Sequence, residues 1–210
     1  DNLAVGKYLW ASYDFMHYDI PANASVGNYT FIHEFSHVLG ADDYYNYEYD
    51  DFQPTHTFDM MDCTLSDHTA YTKMIFGWAN DIKLITTKST LTIELDSFQT
   101  SGDVILVANN WDDDKGIFQE YWTLEYYTNK GLNSTSYCGL FNTSGLMVHH
   151  VYSPVVYSEE YDEYYIGADN SLERNRENYL YELIENDDSY LFKVEDFVTV
   201  AAYAYKNETM

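Results

Sequence analysis

The sequence predicts an α+β fold in which a helical portion precedes a mainly antiparallel β region. Apolar residues recur at helical spacing in two stretches before residue 80. Beyond residue 82, short runs of β-branched and aromatic residues alternate with clusters of turn-forming residues. The 23 tyrosines among 210 residues also favour strands, because aromatic rings fit the half-buried surface of a sheet.

The first helix is predicted over residues 28–39. Its apolar side chains recur at helical spacing, at Phe31, Ile32, Phe35, Val38 and Leu39. Asn28 stands where a side chain that caps the start of a helix is expected, and Gly40 stands where a glycine ends one. The stretch is therefore bounded by residues that suit both ends of a helix.

A second helix is predicted over residues 66–78. Ser66 or Asp67 would cap its start, and Gly77 would end it. Residues 41–65, between the two helices, are polar, acidic and without periodicity, so they predict a loop.

Six later runs predict strands, since each is rich in β-branched or aromatic residues and is bounded by turn-forming residues. They are Thr90–Leu95, Val104–Ala108, Gln119–Tyr127, Leu146–Val151, Asn178–Ile184 and Val198–Tyr205. We expect them to pair antiparallel. The chain is accordingly divided into residues 1–82 and a β-rich, sandwich-like region over residues 83–210 that packs against them.

The charge of the chain excludes several classes of partner. There are 35 acidic and 10 basic residues, so the net charge is −25 at pH 7, and phosphate backbones and anionic membranes are repelled. No apolar run approaches the ~18–20 residues that cross a bilayer. We therefore expect neither a nucleic-acid partner nor insertion into a membrane. The two cysteines, Cys63 and Cys138, form either one disulfide bridge or two separate thiols.

Five residues of the first helix, His33-Glu34-Phe35-Ser36-His37, have the pattern of a zinc site. Histidines four residues apart lie on one helix face, so both imidazoles can reach one ion. Zinc accepts neutral imidazole nitrogen, and a catalytic zinc keeps one position open for water. Glu34 would accept a proton from that water. The alternative is a helix with two hydrogen-bonded surface histidines.

A third ligand is expected just beyond this helix, because the pattern continues to HExxHxxGxxD. Gly40 can adopt a positive φ and reverse the chain, which would return Asp43 to the two histidines. Asp42 is the alternative if the turn is one residue tighter. Met61, in the FDMMD stretch of an otherwise polar loop, would form an apolar floor beneath the ion, or would serve only as a core anchor.

These motifs resemble those of the immune inhibitor A family of secreted bacterial zinc metallopeptidases, which are metzincin-like. The resemblance rests on HEFSHVLGADDYY, FDMMD and DHTAYTKMIFGW, and continues through EYWTLEYYTNKGL and GLMVHHV. It implies that residues 1–82 are the C-terminal part of a zincin-like catalytic domain, with an active-site helix, a Met-turn and a second helix. It also implies a zinc-dependent endopeptidase, secreted or on the bacterial cell surface. The site residues implied are the zinc ligands His33, His37 and Asp43, the general base Glu34 and the Met-turn methionine Met61.

The chain departs from that family in three places. Ala41-Asp42 stands where the family usually has Leu-Pro, Cys63 stands where a small or polar residue is expected, and no tyrosine lies two residues after Met61. The candidates for stabilising an oxyanion are therefore Tyr44, Tyr45 and Tyr71. Only 32 residues precede His33, whereas metzincin-like domains usually have a sheet and a backing helix there. Either the upper subdomain is unusually short or, as we expect, the chain is a fragment whose partners include the N-terminal part of its own parent chain.

Other acidic and histidine residues have weaker signals. Calcium is a further possible cofactor, since the carboxylates of Asp112, Asp113 and Asp114, or of Asp42, Asp50 and Asp51, could bind it, although such turns are usually only solvated. His68 is expected to stabilise a loop by hydrogen bonding. Neighbouring strand residues face opposite sides, so His149 and His150 cannot both join one site, and structural roles are expected for both.

Two classes of function follow from these residues. The first is a zinc endopeptidase that hydrolyses protein or peptide substrates with metal-activated water and a glutamate general base. The second is a truncated or inactive zincin whose tyrosine-rich β portion binds glycans or proteins, since 18% of the residues are aromatic. A third and weaker hypothesis is a metallohydrolase that acts on a non-peptide bond.

Overall fold

The computed structural model describes residues 29–47, 54–56, 58–62, 67–134, 144–171, 178–184, 191–194 and 198–201. Within these ranges the chain forms three helices and nine strands. The fold is α+β with few helices and a mainly antiparallel sheet, as the sequence predicts. No helix in the described ranges combines the length and the apolar character needed to span a bilayer.

Helix α1, Tyr29–Leu39, confirms the first predicted helix. It ends at Gly40, whose φ is +108°, a conformation that glycine adopts without steric cost. The N–H of Gly40 donates to the carbonyl of His37, and the N–H of Ala41 donates to that of Ser36, so carbonyls at the helix end are satisfied. The predicted cap, Asn28, lies outside the described residues.

Helix α2, Ala70–Ile75, is shorter than predicted, and its N-cap is Thr69. Asp67 does not cap the helix, because its carboxylate instead accepts a hydrogen bond from Lys73 at 2.6 Å. The other predicted cap, Ser66, lies outside the described residues. The N–H of Thr69 is satisfied by a distant carboxylate, Asp59, at 2.7 Å, so the helix starts where a tertiary contact supports it.

The predicted glycine end of α2 is confirmed. Gly77 has a φ of +70°, and its N–H donates to the carbonyl of Met74 at 3.0 Å. The N–H of Trp78 donates to the carbonyl of Lys73 at 2.7 Å, which completes the closing turn. A short helix that the sequence did not predict, α3, spans Phe98–Ser101.

Most of the strands belong to one five-stranded sheet: β1 Ile82–Ile85, β2 Val104–Val107, β3 Glu120–Tyr127, β4 Gly145–Tyr152 and β7 Tyr181–Leu183. They lie in the order β1-β2-β3-β4-β7. Neighbours pair antiparallel except β1 and β2, which are parallel. Two hairpins are separate from this sheet: β5 Val155–Ser158 pairs with β6 Glu163–Ile166, and β8 Leu191–Val194 pairs with β9 Val198–Ala201.

Five of the six strand predictions correspond to observed strands. Four predicted runs contain β2, β3, β7 and β9, and the run Leu146–Val151 lies within β4. The prediction for Thr90–Leu95 is wrong, because this run is irregular and pairs with no strand in the described part of the chain. Its Ile93 and Leu95 side chains pack against one face of the sheet, while Leu91 is exposed. The strand-like composition of this run comes from side chains that pack against the sheet, and its backbone has no neighbouring strand among the described residues.

The main core lies between one face of the sheet and the residues that surround α2. The sheet contributes Leu106, Tyr121, Val151 and Tyr181, and the preceding residues contribute Ala41, Tyr44, Met61, Tyr71 and Met74. Four of the largest fully buried side chains are tyrosines. A smaller cluster on the opposite face contains Ile105, Val107, Leu124 and Val148. The residues before 82 and those after it therefore share one core.

The apolar face that predicted α1 is only partly buried. Phe35, Val38 and Leu39 remain exposed against the described residues, and Phe35 is 46% exposed. The buried side of α1 carries His33 and Ser36 instead. The helix thus turns its polar motif, rather than its most apolar stripe, toward the described body of the protein.

Candidate metal centre

The structure brings His33, His37 and Asp43 together at the end of α1. The Nε2 atoms of His33 and His37 lie 3.0 and 3.3 Å from the same oxygen, Oδ1 of Asp43. All three candidate ligand atoms lie within 4.8 Å of one another. No other set of three such side chains converges in this way among the described residues. These three side chains, called the metal group below, can bind a metal ion.

The donor set suits a metal ion. Two imidazole nitrogens and one carboxylate oxygen are common metal-ligand atoms, and Asp43 Oδ1 lies 3.0 and 3.3 Å from the two nitrogens.

Backbone carbonyls fix the orientation of both imidazole rings. The Nδ1 atom of His33 donates to the carbonyl of Met60 at 3.0 Å, and the Nδ1 atom of His37 donates to the carbonyl of Ala41 at 2.8 Å. Because a carbonyl only accepts hydrogen bonds, each ring carries a hydrogen on Nδ1, and its Nε2 atom, which here hydrogen bonds to Asp43, is the nitrogen that a metal ion would take. This is the arrangement that orients a ligand histidine and raises its basicity.

Asp43, and not Asp42, is the acidic residue that joins the two histidines. Gly40 supplies the reversal of the chain that returns Asp43 to α1. The second carboxylate oxygen of Asp43, Oδ2, accepts a hydrogen bond from the phenol of Tyr47 at 2.8 Å. The sequence did not indicate Tyr47, because none of the motifs described above includes it.

The three side chains shift one another's pKa values. Burial tends to raise the pKa of Asp43, but hydrogen bonds from His33, His37 and Tyr47 hold it well below its usual range. Burial tends to lower the pKa of His33, yet hydrogen bonds with Asp43 and the Met60 carbonyl raise it overall. The pKa of His37 is raised, chiefly by its hydrogen bond with Asp43. The site is therefore an anionic carboxylate that favours positive charge beside it, which suits a cation.

The turn over residues 58–62 is hydrogen bonded to His33 and to the residue that follows Asp43. Met60 and Met61 are fully buried, and Met61 belongs to the main core. The carbonyl of Met60 holds His33, while the carbonyl of Met61 accepts a hydrogen bond from the N–H of Tyr44 at 2.9 Å. The methionine turn thus fixes both a ligand histidine and the residue that follows the ligand aspartate.

A buried polar chain connects this turn to α2 and to α1. His68 Nε2 lies 3.2 Å from Ser36 Oγ, and His68 Nδ1 lies 3.6 Å from Asp59 Oδ1. Asp59 is fully buried, and although burial tends to raise its pKa, its interactions with His68, the Thr69 side chain and a backbone N–H lower it to about 2. Because Ser36 lies between the two ligand histidines, the chain helps to hold α1 in place. The sequence suggested a hydrogen-bonding role for His68 but did not identify Asp59.

Glu34 lies on α1 next to His33 and is half-buried. Its charge is the smallest of the contributions that raise the pKa of His37, after the hydrogen bonds of that ring with Asp43 and the Ala41 carbonyl and the charge of Asp43. A half-buried glutamate beside the metal group retains access to solvent, as a proton acceptor for water must.

The three tyrosines that the sequence singled out occupy different environments. Tyr45 lies beside the metal group: its ring centre is 6.3 Å from that of His33, and its phenol oxygen is 3.0 Å from that of Tyr47. Tyr44 and Tyr71 are fully buried in the core, with ring centres 6.3 Å apart. The structure therefore brings Tyr45 to the site but not Tyr44 or Tyr71.

The remaining candidate residues lie elsewhere. His149 is fully buried, whereas His150 faces the other side of β4, with its Nε2 atom 3.0 Å from Glu120 Oε1. Asp113 accepts a hydrogen bond from Trp111, and Asp112 accepts one from the N–H of Asp114. Within the described residues, the carboxylates of Asp112, Asp113 and Asp114 do not form a convergent group. Asp50, Asp51, Cys63 and Cys138 lie outside the described ranges, as Asn28 and Ser66 do.

Comparison with known proteins found no matching family model, no matching curated protein and no matching solved structure. The interpretation of the site therefore depends on its own geometry and on the chemistry of its side chains.

Proposed function

We propose that the protein is a zinc-dependent endopeptidase. The observation that carries the proposal is the convergence of two imidazole nitrogens on one carboxylate oxygen, with the opposite nitrogen of each ring held by a backbone carbonyl. Glu34 stands beside the first of these histidines, as the HExxH pattern requires of a general base. The resemblance to secreted bacterial zinc peptidases supports the same reaction.

The chemistry of the donor set favours zinc over calcium. Calcium takes six to eight oxygen ligands, whereas zinc binds imidazole nitrogen readily. His33, His37 and Asp43 would hold the ion, and both imidazoles are already oriented for this task by the carbonyls of Met60 and Ala41. When bound, zinc acts as a Lewis acid that polarises a carbonyl and lowers the pKa of water to about 7.

The side chains of the site have separate roles in the proposed reaction. Glu34 accepts the proton of the attacking water and passes it to the leaving amine of the cleaved peptide. Asp43 carries negative charge, so a divalent ion keeps a net positive charge of about one beside the substrate carbonyl. Tyr45 is the residue of the three candidates that lies beside the site. Its phenol donates to that of Tyr47, whose own hydrogen goes to Asp43, so Tyr45 would have to leave this bond before it could donate to the oxyanion.

The proposed setting is extracellular. Protein or peptide substrates, and secretion or display at a bacterial cell surface, follow from the family resemblance. These proposals share one requirement, which is that the described residues bind zinc and cleave peptide bonds.

The test compares the chain with a Glu34→Gln variant, using zinc content and casein cleavage as readouts. We expect one zinc per chain in both proteins, and cleavage by the unmodified protein that a chelator abolishes and zinc restores. Glu34→Gln should lower the rate by about 10²–10⁴-fold, since it removes a general base. Glu94→Gln, which alters an exposed glutamate away from the site, is the control and should retain full activity. Cleavage by Glu34→Gln at the unmodified rate would contradict the proposal.

One observation favours a second function, that of a binding module. The β5–β6 hairpin exposes Tyr161, Tyr164 and Tyr165, and Tyr164 is 75% exposed. Exposed aromatic rings stack on sugars and pack against protein surfaces. Zinc binding without turnover of any protein substrate, together with retention on immobilised glycans, would support this function over the peptidase.

A further inference from the structure

The segment that follows Asp43 is tied to the β region by one fully buried side chain. Asn170 lies in the loop after β6 and is 0% exposed. Its amide nitrogen Nδ2 donates to the carbonyl of Tyr44 at 3.0 Å and to the carbonyl of Tyr181 at 2.7 Å. Its amide oxygen Oδ1 accepts from the N–H of Tyr181 at 3.2 Å. Asn170 therefore joins the residue next to Asp43 directly to strand β7.

Two further hydrogen bonds join the same two loops. The side chain of Asn46, which is also buried, donates to the backbone carbonyl of Asn170 at 2.8 Å. The N–H of Tyr47 donates to the carbonyl of Ser171 at 2.8 Å. The loop after β6 thus contacts three of the four residues that follow Asp43.

These contacts hold the residue next to Asp43 from two sides. The N–H of Tyr44 is held by the carbonyl of Met61, in the turn beneath the metal group. The carbonyl of Tyr44 is held by Asn170, from the β region. Both backbone polar groups of the residue adjacent to Asp43 are therefore fixed by separate elements. Tyr47, which the same loop anchors, hydrogen bonds Asp43 itself.

We propose that Asn170 is a positioning residue of the metal centre, which holds the Asp43 segment in place for ligation through its contacts with Tyr44 and Asn46. The β region is then part of the metal site and not an appended module. This inference rests on the proposed metal centre, because it assigns Asn170 a role in metal affinity. Replacing its side chain would leave the carbonyl of Tyr44 without its partner, and Asp43 would no longer be held at the spacing that the two imidazoles require.

The test measures metal binding by Asn170→Ala, with the affinity for zinc taken from chelator competition and the ligand field read from the visible spectrum of the cobalt-substituted protein. We expect zinc affinity to fall by about tenfold or more, as substitutions of ligand-supporting residues do. The cobalt spectrum should shift, because the aspartate oxygen is displaced from the ion. Far-ultraviolet circular dichroism should stay unchanged.

Gln119→Ala is the matched control. Gln119 is another buried amide, and its side chain also ties a loop together: it donates to the carbonyls of Asp112 and Gly116 and accepts from the N–H of Asp112. Its loss should lower the unfolding temperature to a similar extent. It should leave zinc affinity and the cobalt spectrum unchanged, because this turn does not contact the metal group.

Two further variants keep the test decisive if Asn170→Ala does not fold. Asn46→Ala removes the bond to the Asn170 carbonyl and leaves the bonds of the Asn170 side chain in place, so a smaller loss of zinc affinity is expected. Asn170→Asp keeps the acceptor for the N–H of Tyr181 but cannot donate to Tyr44, so it should weaken zinc binding as strongly as the alanine variant.

The outcomes separate this inference from the proposed function. If the unmodified protein binds no zinc, both the metal centre and the role of Asn170 are overturned. If it binds zinc without cleaving protein, the peptidase proposal fails while the role of Asn170 is still decided by the affinities. If zinc affinity and the cobalt spectrum of the folded Asn170 and Asn46 variants match those of Gln119→Ala, Asn170 has only a structural role.

Discussion

The phenol of Tyr47 donates a hydrogen bond to Asp43 Oδ2 at 2.8 Å, while the other carboxylate oxygen, Oδ1, faces the imidazoles of His33 and His37. Oδ2 therefore accepts a hydrogen bond from the protein, and Oδ1 is the oxygen that would bind a metal ion. An outer hydrogen bond of this kind holds a carboxylate in a single orientation and so favours ligation through one oxygen.

Tyr47→Phe removes this hydrogen bond and keeps the ring. We expect zinc affinity to fall by about tenfold, at the low end of the range for outer contacts, because Tyr47 is itself 57% exposed. Chelator competition measures the change. Tyr161→Phe, which removes an exposed phenol from the β5–β6 turn, should have no effect. Equal affinities for all three proteins would show that Tyr47 does not orient Asp43.

Gly40→Ala tests whether the reversal of the chain after α1 sets the position of Asp43. The φ of Gly40 is +108°, and the nearest atom to an added methyl group is Ile75 Cγ2 at 3.6 Å, so the cost comes from the backbone and not from a clash. We expect unfolding to become easier by about 1–2 kcal/mol, and zinc affinity to fall as well.

Gly116→Ala is the control for the Gly40 variant. The φ of Gly116 is +56°, and no atom lies within 4 Å of an added methyl group. Its turn does not carry a metal ligand, so its substitution should destabilise the protein without changing zinc affinity. A Gly40→Ala protein with normal zinc affinity would mean that Asp43 is positioned without the glycine turn.

Glu125→Gln tests the charge state of a glutamate buried on β3. Glu125 is fully buried, and burial raises its pKa from 4.5 to about 8, with Lys73 opposing and Asp59 reinforcing the shift. The folded protein therefore keeps this proton between pH 4.5 and about 8, where the unfolded chain releases it. The contribution of Glu125 to the free energy of unfolding is therefore greatest below pH 4.5, and it is lost as the pH rises through about 8.

The measurement is urea unfolding of both proteins at several pH values, with a chelator present so that metal binding does not contribute. The free energy of unfolding of the glutamate protein, relative to that of Glu125→Gln, should decline by a few kcal/mol from pH 4.5 to about 8. Glu94→Gln, at an exposed position, should show no such trend. A constant difference across this range would mean that Glu125 is charged in the folded state.

The local elements near the site could be predicted because short-range spacing determines them. Helix α1 follows from apolar residues three and four apart and from Gly40 at its end. The same spacing places His33 and His37 on one face, and the turn at Gly40 selects Asp43 over Asp42. Each of these relationships spans at most ten residues.

Strand pairing was harder to predict, because propensity identifies a strand only if a neighbour is present. Thr90–Leu95 has the composition of a strand but pairs with none among the described residues, whereas Ile82–Ile85 pairs in parallel with β2. The start of α2 was also mispredicted, since its N-cap residue, Thr69, is held through its N–H by Asp59 instead of lying at the predicted local cap. Both differences come from partners that are distant in sequence.

The sequence by itself determined the spacing of His33, His37 and Asp43, the helix that carries the two histidines, and four of the five strands of the main sheet, because these depend on backbone periodicity over a few residues. Only the tertiary structure decided which side chains support this group: Tyr47 on Asp43, the Asp59–His68–Ser36 chain behind α1, and Asn170 on the segment after Asp43. Asn170 and Tyr44 are 126 residues apart. Such a contact forms only when the loop after β6 packs against the segment after Asp43, so no local pattern in the chain records it.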